Sequence, residues 1–330
     1  MKRILTLFSA VAVLFLAVSC HSSTIGTGKQ AAGGSPYELI VSIDQSAWQS
    51  PVGDTIRAIF EQPVAYVNQN EPLFNVMRIE PLMFKDFLRV HRNVLFINVD
   101  PEKPTANKAV RDLNSDGQMM LEVSAPTLEA MAQYLSENRA ALVDVFELAE
   151  RDRSIKQNRR YPERVLVDKV QKMFSMHLDI PRGFTIRGQK GDSLLVLSNE
   201  YPVASQGIII YDYPYTGRED FGKAALLARR NEFVQYIPGP SAGSYMTTST
   251  AIEPDVIYRR IDGRQWAEMR GFWDVEGDFM GGPMVSWTTL NPNTNKVVCI
   301  DCYVFSPKYN KRNYLRALEH VIYSASFDTK

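Results

Sequence analysis

Residues suited to holding a small acidic ligand cluster in the second half of the chain. Gly281 and Gly282 could form a backbone nest beside an aromatic shelf, while an arginine supplies charge for a carboxylate, a phosphate or a sugar acid. The competing interpretation is a tight turn that needs glycine dihedrals, with Trp273 in the core and Arg270 at its rim. The candidate ligand-binding residues are Arg270, Trp273, Met280, Gly281, Gly282 and Tyr245.

The cysteines and histidines do not have the spacing of a metal or redox site. Of the three cysteines, Cys299 and Cys302 lie in an apolar stretch that is typical of a strand. Positions i and i+3 of a strand point to opposite faces, which disfavours both a disulfide and a shared metal ion. The four histidines show no ligand spacing, so we expect no metal and no cofactor; they are His21, His91, His177 and His320.

Motifs of nucleophilic, metal-dependent and phosphoryl-transfer catalysis are missing from the sequence. It contains no G-x-S-x-G, no H-E-x-x-H and no P-loop. Glu276 and Asp278 alternate in a predicted loop, where solvated carboxylates are usual. Glycosidase chemistry needs two facing carboxylates, and the sequence does not position any two. We therefore assign no catalytic residue.

The N-terminal twenty residues carry an export signal. Lys2 and Arg3 precede an apolar run over residues 4–16, and small residues follow before Cys20. This segment resembles a bacterial lipoprotein signal, in which the cysteine thiol takes a diacylglycerol before cleavage on its N-terminal side. A secretory signal with an incidental cysteine, or a single spanning anchor, is the alternative, although the run is shorter than the roughly 20 residues that a spanning helix needs. The resemblance implies a signal peptide over residues 1–19 and a palmitate-bearing lipid on Cys20.

The residues after Cys20 extend the same resemblance to a location. His21 stands where an aspartate would signal inner-membrane retention, and no acidic cluster follows, so the resemblance implies the periplasmic face of the outer membrane. Residues 20–36 are small, polar and rich in glycine, which predicts a lipid anchor and a flexible tether. The expected contact with the membrane is the N-terminal lipid.

Composition excludes nucleic acid as a general partner and places the domain boundary. The chain has 37 basic and 37 acidic residues, and loss of Lys2 and Arg3 leaves 35 basic ones. Such a balance gives no attraction to nucleic acid. The mixed-charge run over residues 150–160 is interpreted as a solvated helix end and linker. We place an N-terminal α/β domain at 37–152 and a C-terminal α+β domain at 153–330.

Hydrophobic periodicity predicts an α+β fold made of two α/β-sandwich domains, with antiparallel or mixed sheets packed on helices. In the first domain, strands at 37–43, 75–79, 93–99 and 118–123 precede one long amphipathic helix from Leu128 to Ala149. In the second, a helix is followed by strands, a helix, more strands and a last helix at about 311–324.

Two resemblances accompany this pattern. The segment 180–184, with meandering strands and a closing helix after it, resembles the photosystem P-subunit-like sandwich. The segments 237–240, 270–273, 277–283 and 310–319 resemble an uncharacterised lipoprotein family of Bacteroidetes-type bacteria, known as a domain of unknown function. That family implies no activity, cofactor or catalytic residue.

Three functions are compatible with these observations. The first is a non-catalytic, lipid-anchored binding or assembly protein that holds an envelope protein or glycan. The second is an envelope hydrolase acting on glycan or peptide, which predicts convergent carboxylates or a Ser/His pair in a cleft. The third is periplasmic small-solute binding between the two domains, which predicts an apolar pocket of several hundred cubic ångströms at their interface, within the usual range for ligand pockets.

Overall fold

The computed structural model describes residues 28–327, which form two sheet-containing domains. The predicted signal peptide, Cys20, His21 and the first part of the predicted tether lie outside the described residues. Both domains combine helices with sheets, one mixed and one antiparallel, so the predicted α+β class with two domains is confirmed.

The N-terminal domain is built on a five-stranded mixed sheet. Its strands stand in the order β2-β1-β3-β5-β4, in which only β4 runs antiparallel to its neighbour. Strand β4 is not among the strands predicted from the sequence, because its residues are mostly exposed and polar at the edge of the sheet and carry no hydrophobic alternation. The strands are β1 (Glu38–Ser42), β2 (Asn75–Ile79), β3 (Asn93–Val99), β4 (Ala106–Arg111) and β5 (Met119–Ala125).

Four helices cover one face of this sheet: α1 (Gln45–Trp48), α2 (Pro51–Phe60), α3 (Leu128–Glu137) and α4 (Arg139–Arg160). Alternate residues of the buried strands, such as Leu39, Val41 and Leu95, meet the helices in a single apolar core. The predicted long helix is two helices, because the chain breaks at Asn138, whose side-chain amide donates to the carbonyl of Tyr134 at 2.9 Å.

The C-terminal domain is an eight-stranded antiparallel sheet in the order β10-β11-β12-β13-β8-β7-β6, with β9 paired to β11. Its strands are β6 (Thr185–Lys190), β7 (Leu194–Glu200), β8 (Ser205–Pro214), β9 (Tyr245–Thr248), β10 (Asp255–Ile261), β11 (Arg264–Glu276), β12 (Gly282–Asn291) and β13 (Lys296–Phe305). Helices α5 (Arg164–Phe174) and α7 (Arg312–Tyr323) pack on one face, and α6 (Lys223–Val234) packs on the other.

The two cysteines of β13 show how the faces of this sheet alternate. Cys302 belongs to the core under α5 and α7, whereas Cys299 belongs to the core under α6. Both are buried free thiols, which confirms the prediction that they point to opposite faces. Burial raises the pKa of Cys299 to about 11, so this thiol stays protonated and unreactive at neutral pH.

Two predicted boundaries shift in the structure. Helix α4 runs without a break through 152 and 153 and ends at Arg160, so the first gap between helices after it lies at residues 161–163. Part of the predicted tether is seated on the domain: Ala32 N donates to Asp116 O at 2.9 Å, and Gly33 N donates to Val90 O at 2.8 Å. A Cβ at the neighbouring Gly34 would lie 2.5 Å from His91 Nε2, so glycine is needed there for the segment to pack on the domain.

None of the helices within residues 28–327 combines the length and the apolar character needed to cross a bilayer.

Candidate functional site

The six residues predicted to bind a ligand do not form one site. Arg270 and Trp273 are three positions apart on β11, and the alternation of a strand places them on opposite faces of the sheet. Trp273 is 2% exposed within the core under α6, where its Nε1 donates to Val304 O at 3.1 Å. Arg270 points to the other face, toward α7. The prediction of a single groove containing both is therefore wrong.

The glycine pair serves strand packing rather than a backbone nest. A Cβ at Gly282 would lie 2.2 Å from Val304 O, and one at Gly281 would lie 2.8 Å from Trp273 O. Neither glycine has a positive φ; the left-handed glycine of this loop is Gly277, at φ 83°. Glycine is required at both positions because neighbouring backbone passes too closely for a side chain, which corrects both explanations of this glycine pair, whereas the predicted place of Trp273 in the core is confirmed.

Two of the six residues do line a cavity together. Trp273 and Met280 share a space of about 440 Å³ with Pro238, Tyr303 and Phe305. Tyr245 lies on β9 opposite Glu276 and is partly exposed. None of the described residues that line this groove has a buried polar atom without a hydrogen-bond partner, so the groove offers no unsatisfied polar group to a ligand.

A group of charged and polar side chains meets between the domains, where α7 lies against α4 and the start of β1. The hydroxyl of Tyr37 is 3.2 Å from Glu147 Oε2 and 3.2 Å from His320 Nε2. Tyr37 has a left-handed φ of 63°, and its N–H donates to Glu150 Oε1 at 3.1 Å. A buried tyrosine holds that conformation only when its surroundings fix it, so this position is strongly determined.

Three further residues extend this group into an ion-pair network. Arg316 Nη2 lies 3.1 Å from Glu147 Oε1, and Arg316 Nη1 lies 3.0 Å from Glu319 Oε2. Arg270 Nη1 lies 2.5 Å from the other oxygen of Glu319. We call this group the interdomain cluster; it consists of Tyr37, Glu147, Arg270, Arg316, Glu319 and His320.

Burial and charge separate the acidities of the two carboxyl groups. Burial raises the pKa of Glu147, although Arg316 opposes the rise. Burial also disfavours the ionised form of Glu319, but Arg270 and Arg316 outweigh it and lower the pKa of Glu319 to about 2. Desolvation lowers the pKa of His320 to about 4, so the imidazole is neutral at pH 7.

The tyrosine hydroxyl relays the protonation state of Glu147 to the imidazole. It has one proton, which goes either to Glu147 or to His320 Nε2. With Glu147 protonated, Tyr37 donates to Nε2 and the proton of the neutral ring sits on Nδ1. With Glu147 ionised, Tyr37 donates to Glu147 and Nδ1 becomes the acceptor. Nδ1 is buried and has no hydrogen-bond partner among the residues that the structure describes.

Two cavities flank the interdomain cluster, and His320 lines both. The first, which we call the basic cavity, has a volume of about 390 Å³ and is bounded by α4, α7 and residues 31–37. Its ionisable lining is Arg92, Arg153, Lys156 and Arg160 against Asp116 and Glu150, which leaves an excess of two positive charges. The second cavity, of about 320 Å³, is lined by both glutamates of the cluster and by Arg151, Arg259, Arg270 and Arg316.

The charges of the basic cavity are unequally engaged. Glu150 is saturated: its Oε1 accepts from Asn93 Nδ2 at 2.7 Å and lies 2.9 Å from Arg153 Nη2. Lys156 pairs with Asp116 at 2.9 Å on the exposed side. Arg160 has no carboxylate within ion-pair distance in the described part of the chain. An anionic group is what this arrangement accommodates best.

The second cavity does not have the geometry of a hydrolase. Glu147 and Glu319 converge on one guanidinium, and their pKa values move apart as those of an acid and a base would. However, the Glu319 side chain is 3% exposed and each of its oxygens is occupied by an arginine. A carboxylate held in this way stabilises the junction and has no free oxygen to offer to a substrate.

Residues 28–327 contain no cluster of three or more His, Cys, Asp or Glu side chains placed to hold a metal ion.

Sequence reasoning missed the interdomain cluster, although one signal was present. Arg312, Arg316 and Glu319 recur at helical spacing along α7, beside the apolar stripe of the same helix. A charged stripe that borders an apolar one marks a helix packed between two bodies as well as a solvated face. The partners on the first domain, Tyr37 and Glu147, carry no comparable signal.

Comparison with known families divides the chain at the end of α4. Residues 32–159 match the model described as Domain of unknown function (DUF8532), and residues 163–324 match Domain of unknown function (DUF4837). The chain matches no curated protein.

Among solved structures, a mutant of the protein Mog1 is similar at a TM-score of 0.31 and 11% identity, over 46% of this chain and 90% of that one. The Ran-binding protein Mog1p of Saccharomyces cerevisiae is similar at a TM-score of 0.32 and 10% identity, with the same coverage. The chain thus joins two domains of unknown function, consistent with an uncharacterised family.

Proposed function

We propose that this chain is a lipid-anchored, non-catalytic protein of the cell envelope that binds an anionic group in the basic cavity between its domains. The observation that carries the proposal is the excess of positive charge in this cavity, whose lining also includes the neutral imidazole of His320. A carboxylate or phosphate on an envelope glycan, peptide or protein has the matching chemistry. Nucleic acid is not among the expected partners.

The anchor and the location rest on the first twenty residues. The resemblance to a lipoprotein signal supports lipidation of Cys20 and attachment to the periplasmic face of the outer membrane. The seating of Ala32 and Gly33 on the first domain supports a short connection between the anchor and the body. Ala31 and Ala32 of the predicted tether form part of the wall of the basic cavity.

Small-solute binding between the domains is the second candidate. It is favoured by the volume of the basic cavity, about 390 Å³, which falls within the usual range for ligand pockets. Apolar atoms make up most of its wall, and helix α4 adds three cations, Arg153, Lys156 and Arg160. A free anionic solute and the anionic group of an envelope polymer would use the same contacts.

Binding is tested by thermal unfolding of the chain with inorganic phosphate, galacturonate and peptidoglycan fragments. A ligand at 100 times its dissociation constant stabilises the folded state by about 2.7 kcal/mol. The double variant Lys156→Gln/Arg160→Gln should weaken binding about thirtyfold, because each of the two lost charge-assisted contacts is worth on the order of 1 kcal/mol at a partly exposed site.

The matched control is Arg139→Gln/Lys172→Gln, which removes the same charge from exposed positions outside the cavity lining. It should bind like the parent chain. Equal binding by both double variants would remove the basic cavity as the site. Lack of stabilisation by every ligand of the set would argue against anion binding.

The location is tested by labelling cells with a palmitate analogue. The parent chain should incorporate label and Cys20→Ala should not, and protease added to intact cells should leave a periplasmic body intact. Label retained in Cys20→Ala would disprove lipidation at this residue, and digestion on intact cells would place the body outside.

A further inference from the structure

An exposed apolar surface lies on the first domain, at the opposite face of its sheet from α2 to α4. We call it the apolar patch; it consists of Leu82, Met83, Phe87 and Leu113. Leu82 is 90% exposed and Phe87 is 78% exposed, with Met83 and Leu113 about half exposed. Large apolar side chains that are grouped and exposed mark a contact surface.

Packing and hydrogen bonds hold the two loops that carry the patch, and they leave its four apolar side chains exposed. Phe84 turns inward and packs edge-on against Phe96 of β3, with ring centroids 4.8 Å apart. Leu82 and Leu113 line the same cavity, of about 670 Å³, over the open face of the sheet. The Arg89 side chain donates to Asn114 Oδ1 at 3.2 Å and ties the two loops together.

The chain from the lipid attachment site reaches the first domain at this same place. Lys29 Nζ donates to the carbonyl of Leu113 at 3.0 Å, and Gly33 pairs with His91 next to the segment that carries Phe87. Eight residues lie between Cys20 and Lys29, and the nine steps from one Cα atom to the next span at most about 30 Å. An anchor on Cys20 therefore keeps the apolar patch close to the bilayer surface.

Charge around the patch matches a lipid surface. Lys85 and Arg89 are exposed on either side of Phe87, and Lys29 lies beside Leu113, whereas Asp86 is the acidic residue within the same segment. Apolar side chains bordered by cations suit the boundary between acyl chains and anionic headgroups.

We propose that the apolar patch inserts into the leaflet that holds the Cys20 lipid, which fixes the first domain on the membrane with its open sheet face down. This proposal rests on the proposed anchoring and adds a second, protein-based contact to it. The lipid on Cys20 holds the chain to the bilayer through a tether and does not by itself orient the body, whereas a second contact of this kind gives the body one orientation.

The experiment uses the full chain purified from membranes and reconstituted in phosphatidylethanolamine–phosphatidylglycerol vesicles. An environment-sensitive fluorophore is placed through Leu82→Cys or Phe87→Cys, with Val165→Cys as the control. Val165 is 70% exposed on α5 of the second domain. Labelling is selective because Cys299 and Cys302 are buried and Cys20 carries the lipid in the proposed protein.

We expect the probes at positions 82 and 87 to shift to the blue and to be quenched by brominated acyl chains, with neither effect at position 165. Equal, weak quenching at all three positions would overturn membrane insertion. A blue shift that grows with protein density, without quenching by brominated lipid, would assign the patch to a second copy and overturn the proposal as well.

Mass spectrometry of the same preparation separates this result from failure of the anchor. A lipidated Cys20 with unquenched probes leaves the proposed anchoring in place and removes the patch contact. An unmodified Cys20 overturns both.

Discussion

At the scale of single residues, His320 is where pH acts on the junction between the domains. Desolvation lowers the pKa of His320 to about 4, well below the ordinary 6.5 of an imidazole. The unfolded chain therefore takes up a proton at this residue before the folded chain does. The stability contributed by the neutral buried ring is complete above pH 6.5 and is lost as the pH falls from 6.5 toward 4.

We predict that His320→Asn flattens the pH dependence of the unfolding free energy between pH 6.5 and 4. The parent chain should lose about 3 kcal/mol over this window from His320, at 1.36 kcal/mol for each unit of pKa shift. Urea unfolding at a series of pH values measures the loss. Tyr37→Phe keeps the imidazole and should keep the loss. An unchanged slope in His320→Asn would contradict the assignment.

At the scale of elements, helix α7 of the second domain is capped by a carboxylate from the first. Glu71 Oε1 accepts from Lys311 N at 2.6 Å, and Oε2 accepts from Arg312 N at 2.9 Å. The first N–H groups of a helix have no partner within it and carry the positive end of its dipole, so a buried carboxylate there satisfies both. The first domain thus supplies the N-terminal cap that helix α7 of the second domain lacks.

Replacing this cap should destabilise the junction. We predict that Glu71→Ala lowers the unfolding free energy by about 2 kcal/mol, the upper range for loss of an N-cap, because the amide groups left behind are buried. Glu61→Ala removes an exposed carboxylate nearby and should change stability by less than about 0.5 kcal/mol. Chemical denaturation at pH 7 compares the two; equal effects would show that the cap is dispensable.

Helix α6 is held to the opposite face of the second sheet by one buried ion pair. Arg230 Nε lies 2.7 Å from Asp301 Oδ2 of β13, with both side chains fully buried, and Arg230 Nη1 donates to Thr248 Oγ1 at 2.7 Å. Removing one partner leaves the other charged or polar group buried without compensation. The pair therefore fixes the position of α6 and β9 on β13.

We predict that Arg230→Met costs about 3–5 kcal/mol of stability, as expected when one member of a buried pair is removed. Arg230→Met/Asp301→Leu should recover most of the loss. The neighbouring Arg229→Met breaks an exposed pair with Glu232 and should cost less than about 1 kcal/mol. Urea denaturation of the three variants gives the comparison, and a double variant no more stable than the single one would refute the argument.

At the scale of the whole molecule, the two domains are joined by more than the end of α4. Glu71, Tyr37 and Glu147 of the first domain all bond to α7 of the second. Buried polar contacts of this kind couple the unfolding of one domain to the other, because separation would leave charged groups without partners. Residues of both domains line the basic cavity, so its shape depends on these contacts.

We predict that the parent chain unfolds in one calorimetric transition and that Glu71→Ala/Arg316→Ala splits it into two. The double variant removes both the helix cap and the guanidinium shared by Glu147 and Glu319. Differential scanning calorimetry tests this through the ratio of calorimetric to van't Hoff enthalpy, which is near one for two-state unfolding. Glu61→Ala/Arg139→Ala, at exposed positions, should keep a single transition.

The sequence by itself was sufficient for features governed by local periodicity. Alternation along residues 296–305 placed Cys299 and Cys302 on opposite faces, and the structure confirms it. Apolar spacing predicts helices close to α5 and α7, as well as the buried strands of the first sheet, whereas the exposed edge strand β4 lacks this signal. The same alternation places Arg270 and Trp273 on opposite faces of β11.

Only the tertiary structure decided which charged residues meet. Tyr37, Glu71, Glu147 and His320 are far apart in the sequence, and their contacts depend on how α7 of one domain docks on α4 and residues 69–75 of the other. Local periodicity reports which face of an element is buried, because burial follows the geometry of a single helix or strand. It does not report the partner on the opposite side, since that is set by long-range packing. The sequence therefore determined the fold class and the proposed anchor, and the docking of the domains determined the candidate site.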